Sequence, residues 1–473
     1  MKNTIVKTIC VISILFAAAM MYAQSNQSTQ TITMITEKSG EVNISLFGSG
    51  IVSIDWGDGT VENGKFSSTW DGRNEPNKHI YNTASNHTIT ITGENITGIS
   101  CIGNQLTSLD VSKNAMLTRL HCIINQLTSL DVSKNIALTH LTCDFNQLTS
   151  LDVSNNTALT NLGCIGNKIT SLDVSNNIML TNLGCSNDQL TNLDVSKNTK
   201  LTYLACSQSQ LTSLDVSNNT MLKELYCHTN QLTSLDVSNN PELAHLLCGG
   251  NQLTNLDVNK NVMLRRLHCQ KNLLTNLDVS KNTALYEFFC RQNQLTSIDV
   301  SNNTALNNFG CSENRLLSLD VSKNNALTGL SCNENQLTSI DVSKNTKLIV
   351  LNCSGNQLSS LDISKNTNIR TLTCTNNNLD AHALNTLFGT LHSNEVIDRF
   401  LGTAAQKKLN ISENPGTDSC DRKIAEDKGW EVIDASVTGN QTDTDTKESL
   451  PVVLKETDTM LRVSGTVTDH AGN

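Results

Sequence analysis

The sequence predicts an α/β repeat fold, mostly β, in which short strands stack into one long parallel sheet. Two observations carry that reading. Fourteen cysteines stand at 101, 122, 143, 164, 185, 206, 227, 248, 269, 290, 311, 332, 353 and 374, each 21 residues after the last. Around each of them the same order of leucine, asparagine and aspartate returns, and self-similarity at a fixed short period is the mark of stacked repeats.

One unit reads Leu117-Thr118-Arg119-Leu120-His121-Cys122-Ile123-Ile124-Asn125-Gln126-Leu127-Thr128-Ser129-Leu130-Asp131-Val132-Ser133-Lys134-Asn135. Its first half fits the leucine-rich-repeat pattern L-x-x-L-x-L-x-x-N-x-L, with cysteine in the third leucine slot. Leu120 and Cys122 alternate with Arg119, His121 and Ile123, so a short strand sends two side chains inward and three outward. Stacked at the usual strand spacing, thirteen steps span roughly 60 Å. The asparagine three places after each cysteine turns the chain, and its buried amide can satisfy backbone groups of neighbouring turns. Asp188 and Ser209 replace it in two repeats, where the ladder is expected to be weaker. Leu127, Leu130 and Val132 close the other side of the coil. A lone unit leaves both flat faces in water, so the units are stable only as a stack.

The cysteines admit two readings. Export with many cysteines suggests disulfides. Against this, every cysteine of the array sits at the same inward strand position, where parallel Cβ vectors suit the disulfide dihedral badly. The favoured expectation is a ladder of buried thiols acting as small apolar fillers. Cys420 stands outside the period and is expected to pack in a cap.

On the run L-x-x-L-x-C-x-x-N-Q-L-T-x-L-D-V-S-x-N, recurring from about Cys101 to Asn377, the chain resembles the cysteine-ladder, 21-residue leucine-rich-repeat proteins of the internalin type. The resemblance implies a curved leucine-rich-repeat solenoid with a parallel concave sheet and, as for several members, adhesion to host surface proteins. A cell-wall sorting signal of the Leu-Pro-x-Thr-Gly kind is absent from the sequence, so attachment by that route is not supported.

The ends have their own texture. Lys2 and Lys7, the apolar stretch Ile9–Met21 and Ala23 read as a secretory signal peptide over 1–23, which implies an exported chain at the cell surface or beyond. Residues 24–100 read as a β-rich N-terminal cap, with strands at Ile32–Ile35, Val42–Leu46, Ile51–Trp56 and Thr88–Thr92. Within it Asp55-Trp56-Gly57-Asp58-Gly59 resembles the turn motif of polycystic-kidney-disease-type β-sandwich domains, with Trp56 packed inward; a calcium site at Asp55 and Asp58 is the rival reading. After the repeats of 101–377, residues 378–434 read as a small α/β C-terminal cap. It comprises an amphipathic helix at Ala381–Leu391, a turn at Asn414-Pro415-Gly416, a second helix at Cys420–Lys428 and a strand at Trp430–Ile433. Residues 435–460 read as a polar linker. Residues 461–473 are similar to the opening of a carboxypeptidase-regulatory-like β-domain, which marks the chain as a fragment of a longer protein or the tail as vestigial.

Composition narrows the function. A formal charge of −10 argues against a nucleic-acid partner. No transmembrane segment is expected in the mature chain. The ten histidines are dispersed and form no metal-binding spacing. No nucleophile elbow or phosphate loop is present either. The chain is therefore read as no enzyme, with no cofactor and no metal. Thirteen aspartates, Asp110 to Asp362, form a second ladder that could bind cations; the simpler reading is a solvated row offset by nearby lysines.

What remains is the outward face of the sheet, where solenoids display specificity. One and three places before each cysteine the late repeats carry mostly Gly, Asn, Ser and Thr, whereas the middle gathers Tyr203, Tyr226, His245, Leu247, Arg266, His268 and Phe289. His228 and Arg291 join them one place after their cysteines. Tyr, Phe and Arg are enriched where interfaces concentrate their energy. The expected function is recognition of a protein partner through this surface. The alternatives are a glycan ligand, a structural spacer or sensor arm of a larger surface protein, and chance scatter of long side chains.

Overall fold

A computed structural model describes residues 30–68, 76–397 and 404–434; the expected leader at 1–23, linker at 435–460 and closing segment at 461–473 lie outside these described residues. Each repeat makes one turn of a parallel β-solenoid. Thirteen three-residue strands, Arg119–His121 to Thr371–Thr373, supply one strand per turn. All but the last pair in parallel with the strand one period on, as Arg119, Leu120 and His121 do with His140, Leu141 and Thr142. Leu120, Cys122, Leu127 and Val132 are fully buried, so the inward set read from the alternation is the core. Two successive turns replace the inward leucine by Phe288 and Phe309, whose rings stack at 5.4 Å inside the coil.

Polar ladders hold the turns in register. The Asn125 amide donates to the carbonyls of Cys101 and Cys122, both at 3.0 Å. Its Oδ1 accepts the N–H groups of Asn104 and Leu106, again at 3.0 Å. One side chain thus serves buried backbone groups in two turns, and a buried N–H left without a partner costs about 1–3 kcal/mol. A second ladder, which the sequence reading gave no role, starts at Asn114. Asn135 donates to the carbonyls of Val111 and Asn114, both at 2.9 Å, and all thirteen residues of this ladder are fully buried. The aspartate row is exposed, and each carboxylate accepts the N–H two residues on, as Asp131 does from Ser133 at 2.8 Å. That bond, with help from Lys134, holds the Asp131 carboxyl below its usual range.

All fifteen described cysteines are free thiols, and the fourteen of the array are buried. The Cys143 thiol donates to the Gly163 carbonyl at 3.4 Å. Burial pushes the Cys101 thiol up to about 12 and the Cys122 thiol well above its ordinary value, so neither offers thiolate at neutral pH. Native protein treated with iodoacetamide is expected to be modified at the half-buried Cys420 and at none of the fourteen, as read by mass spectrometry. Rapid labelling of ladder cysteines without denaturant would contradict this burial.

The turn after each strand passes through a left-handed backbone position, filled by Ile124 at φ 55° and Phe145 at φ 53°. A β-branched residue there is strained by roughly 1–2 kcal/mol. Ile124 is also 45% exposed, so its side chain recovers little by burial. Ile124→Gly is expected to stabilise the array by about 1 kcal/mol in urea unfolding. A loss of stability would show that the Ile124 side chain contributes more than its backbone costs.

The ends correct the sequence reading in four places. The strands expected at Val42–Leu46 and Ile51–Trp56 are one strand, Gly40–Asp55, with register shifts at Phe47/Gly48 and Ser49/Val52. Gly48 passes so close to its neighbour that a Cβ there would lie 1.9 Å from the Asn95 carbonyl oxygen. The strand expected at Thr88–Thr92 runs from His87 to Ser100, and its residues Gly98–Ser100 pair in parallel with Arg119–His121. The N-terminal sheet therefore supplies the first strand of the array. Asp55 and Asp58 accept the N–H groups of Gly57 and Thr60, both at 2.9 Å, while Trp56 is fully buried.

At the other end, Ala381–Thr390 is a helix capped by Asp380, with Leu384, Leu387 and Phe388 buried. The second helix, expected over Cys420–Lys428, is a single turn at Lys423–Glu426 flanked by hydrogen-bonded turns. Nor does the ladder end where the cysteine period does. Lys407–Asn410 pairs in parallel with Thr371–Thr373, and Trp430–Ile433 pairs with it in turn. Leu409, Ile411 and Asn414 occupy the places of the repeat's leucine, cysteine and asparagine. The Asn414 amide donates to the Cys374 and Ile411 carbonyls at 2.9 and 2.8 Å.

Candidate functional site

The parallel register lines the outward residues of the middle turns into columns. Tyr203, Glu224, His245, Arg266, Glu287 and Asn308 face one another in sequence along one column. Ala205, Tyr226, Leu247, His268, Phe289 and Gly310 form the second. His228 and Arg291 extend their turns one residue past the cysteine. The nine residues singled out in the sequence thus share one face, across five neighbouring strands or about 20 Å at the usual strand spacing. All nine are half-buried.

Two acidic residues organise this face, and the sequence reading passed over both. Glu287 accepts from Arg266 Nε at 3.0 Å and Nη2 at 3.4 Å, and pairs with His268 Nε2 at 2.9 Å. Burial pushes the Glu287 carboxyl up, but His268 and Arg266 together outweigh it and leave it below its usual value. Glu224 accepts from the Tyr226 hydroxyl and lies 3.7 Å from His245 Nδ1. The nearby His245 leads in holding the Glu224 carboxyl down. Rings complete the network: Tyr203 and Tyr226 meet edge to face at 5.4 Å, and His268 lies 4.7 Å from Phe289. Phe289 has room because its neighbour is Gly310, where a Cβ would come within 2.9 Å of the ring.

The arrangement presents fixed aromatic faces and a guanidinium held by a carboxylate. Such side chains lose little further freedom on binding, which favours affinity. The signal for the two glutamates was present in the sequence. They stand three places before their cysteines, in the same outward column as Tyr203, His245 and Arg266. A search for aromatics and cations alone leaves them out.

Elsewhere, an open depression of about 680 Å³ is lined by Thr304, Asn325, Lys344, Lys347 and Lys365 and includes none of the nine residues. Among the described residues no group of three or more His, Cys, Asp or Glu side chains is placed to hold a metal ion. Among the same residues, no helix is long and apolar enough to cross a membrane.

Comparison with known proteins agrees with the geometry. The functional domain of InlJ from Listeria monocytogenes, described as including a cysteine ladder, is 34% identical, with a TM-score of 0.57 over 70% of this chain and 77% of that one. A leucine-rich-repeat protein of Leptospira interrogans shares the fold at 21% identity, with a TM-score of 0.58 over 70% and 94% of the two chains. The internalin InlF of Listeria monocytogenes does so at 24%, with a TM-score of 0.50 over 62% and 84%. No family model and no curated protein sequence matches the chain. The cysteine period, the buried thiol ladder and the likeness to InlJ place the chain in one family: it belongs to the cysteine-ladder leucine-rich-repeat proteins of the internalin type.

Proposed function

We propose that the protein is an exported recognition module that binds a protein partner on the outward face of its sheet. Its centre is Tyr203, Tyr226, Arg266, His268 and Phe289, with His228, His245, Leu247 and Arg291 around them. The observation that carries this reading is the pre-ordering of the patch: Glu287 ties Arg266 and His268 together beside Phe289. Aromatic and arginine anchors fixed in a half-buried setting are what interface hot spots are made of. Membership of the internalin-type family supports adhesion as the setting. The leader-like segment at 1–23 supports export.

The test is a binding screen of the purified chain against extracellular-matrix proteins, mucins and a glycan array. The proposal expects saturable binding to a protein. Binding confined to glycans would replace the partner class while keeping the surface, since aromatic faces also stack on sugar rings. No binding to any of them would favour a structural spacer.

A further inference from the structure

We infer that Asp188 makes the array pH-sensitive at one joint, where a carboxylic acid stands in for the asparagine amide and closes the ladder only while it carries a proton. In the intact ladder the amide nitrogen donates to two cysteine carbonyls, as Asn167 does to Cys143 and Cys164 at 3.1 and 2.7 Å. At Asp188 the accepting half is preserved, for Oδ1 takes the Ile169 N–H at 3.1 Å. The donating half is replaced by Oδ2, which is buried without a partner. The residue is only 6% exposed. An ionised Oδ2 has nothing to donate to the carbonyls of Cys164 and Cys185, which occupy the acceptor places of this turn, whereas a protonated Oδ2 is a donor.

The next turn compounds the defect. Ser209 holds the asparagine place there, and its hydroxyl reaches the Ser207 carbonyl of its own turn at 3.5 Å. Two consecutive turns therefore lack the asparagine, the second of them being the turn of the strand Tyr203–Ala205 that opens the aromatic face.

The groups around Asp188 do not neutralise it. Asp144, two turns back, is itself raised by burial to about 6 and pushes Asp188 further up. The thiols of Cys143, Cys164 and Cys185 are kept neutral by burial. Lys168 in the preceding turn is exposed, and the following turn brings the uncharged Ser207, Gln208 and Ser209. Burial, more than Asp144, raises the Asp188 carboxyl to about 7. The folded value lies above the ordinary one, so the stabilisation is complete below about pH 4 and is lost as pH rises to about 7.

Native-state hydrogen exchange on the full chain tests this, with the N–H groups of Cys185, Asn187 and Cys206 as reporters. Their protection factors, corrected for intrinsic exchange, are expected to fall about fivefold between pH 6 and pH 7. Asp188→Asn is expected to abolish that fall and raise protection at pH 7. Asp144→Asn, the control, should retain most of it. A wild-type fall that persists unchanged in Asp188→Asn, or no fall in the wild type, overturns the inference.

Discussion

Asn251→Ala is expected to destabilise the middle of the array by about 2–4 kcal/mol, because it strips the buried Leu232 N–H of its partner and leaves the Cys227 and Cys248 carbonyls with only the amides of Asn230 and Asn272. Its amide donates to the Cys227 and Cys248 carbonyls at 3.1 and 2.9 Å, and its Oδ1 accepts the Leu232 N–H at 3.0 Å. Alanine replaces none of these bonds, and the turn is too well packed to bring the groups to water without opening. In a solenoid each turn touches only its neighbours, so the loss should be local. Hydrogen exchange should show collapsed protection near residues 225–255 while the first turns keep theirs, and urea unfolding should broaden as cooperativity breaks. A loss below about 1 kcal/mol would mean that water takes over the amide's bonds and that the ladder is not what holds the turns together.

Gly416→Ala is expected to undock the C-terminal end. Gly416 donates its N–H to the Leu379 carbonyl at 2.9 Å. A Cβ on it would lie 2.2 Å from both the Ala381 nitrogen and the Asp380 carbonyl carbon. Both are backbone atoms at the helix start and cannot step aside. The added methyl should cost about 3 kcal/mol or more. Release of the helix would bare Leu384, Leu387 and Phe388, all now buried, and with them the end of the stack. Proteolysis near the helix and concentration-dependent association should follow, since an uncapped repeat array exposes an apolar face. A variant that melts within about 2 °C of the wild type would show that the cap moves more freely than these contacts allow.

The array was legible in the sequence because its inward residues recur without drift: a leucine, a cysteine and an asparagine at fixed spacing leave one way to coil the chain. The same regularity hid the second asparagine ladder. Asn114 and its successors are as constant as the cysteines, yet asparagine at a turn has a local explanation and invites no search for a buried role. At the C-terminal end the ladder continues through Leu409, Ile411 and Asn414, but Ile411 replaces the cysteine and the intervening helix breaks the period. In the N-terminal sheet, Gly48 and Gly50 interrupt the alternation that marks a strand, while the bulged pairing carries the strand through.

The candidate surface was half legible. Aromatic and basic residues stand out against neighbours that are mostly small, so the nine positions could be read directly. The pairing that orders them could not, because it depends on which outward residues meet across strands. Arg266 lies opposite Glu287 only through the 21-residue register.

Inward residues hold the array, and the outward patch from Tyr203 to Arg291 is proposed to recognise the partner. The most direct test is the double variant Tyr226→Ala, Phe289→Ala, followed by urea unfolding and by binding to whatever ligand the wild type retains in the screen. The double variant is expected to keep its stability within about 1 kcal/mol of the wild type, since both side chains face outward, and to bind at least about a hundredfold more weakly. Undiminished binding by a stably folded double variant would contradict it and move the recognition surface elsewhere on the solenoid.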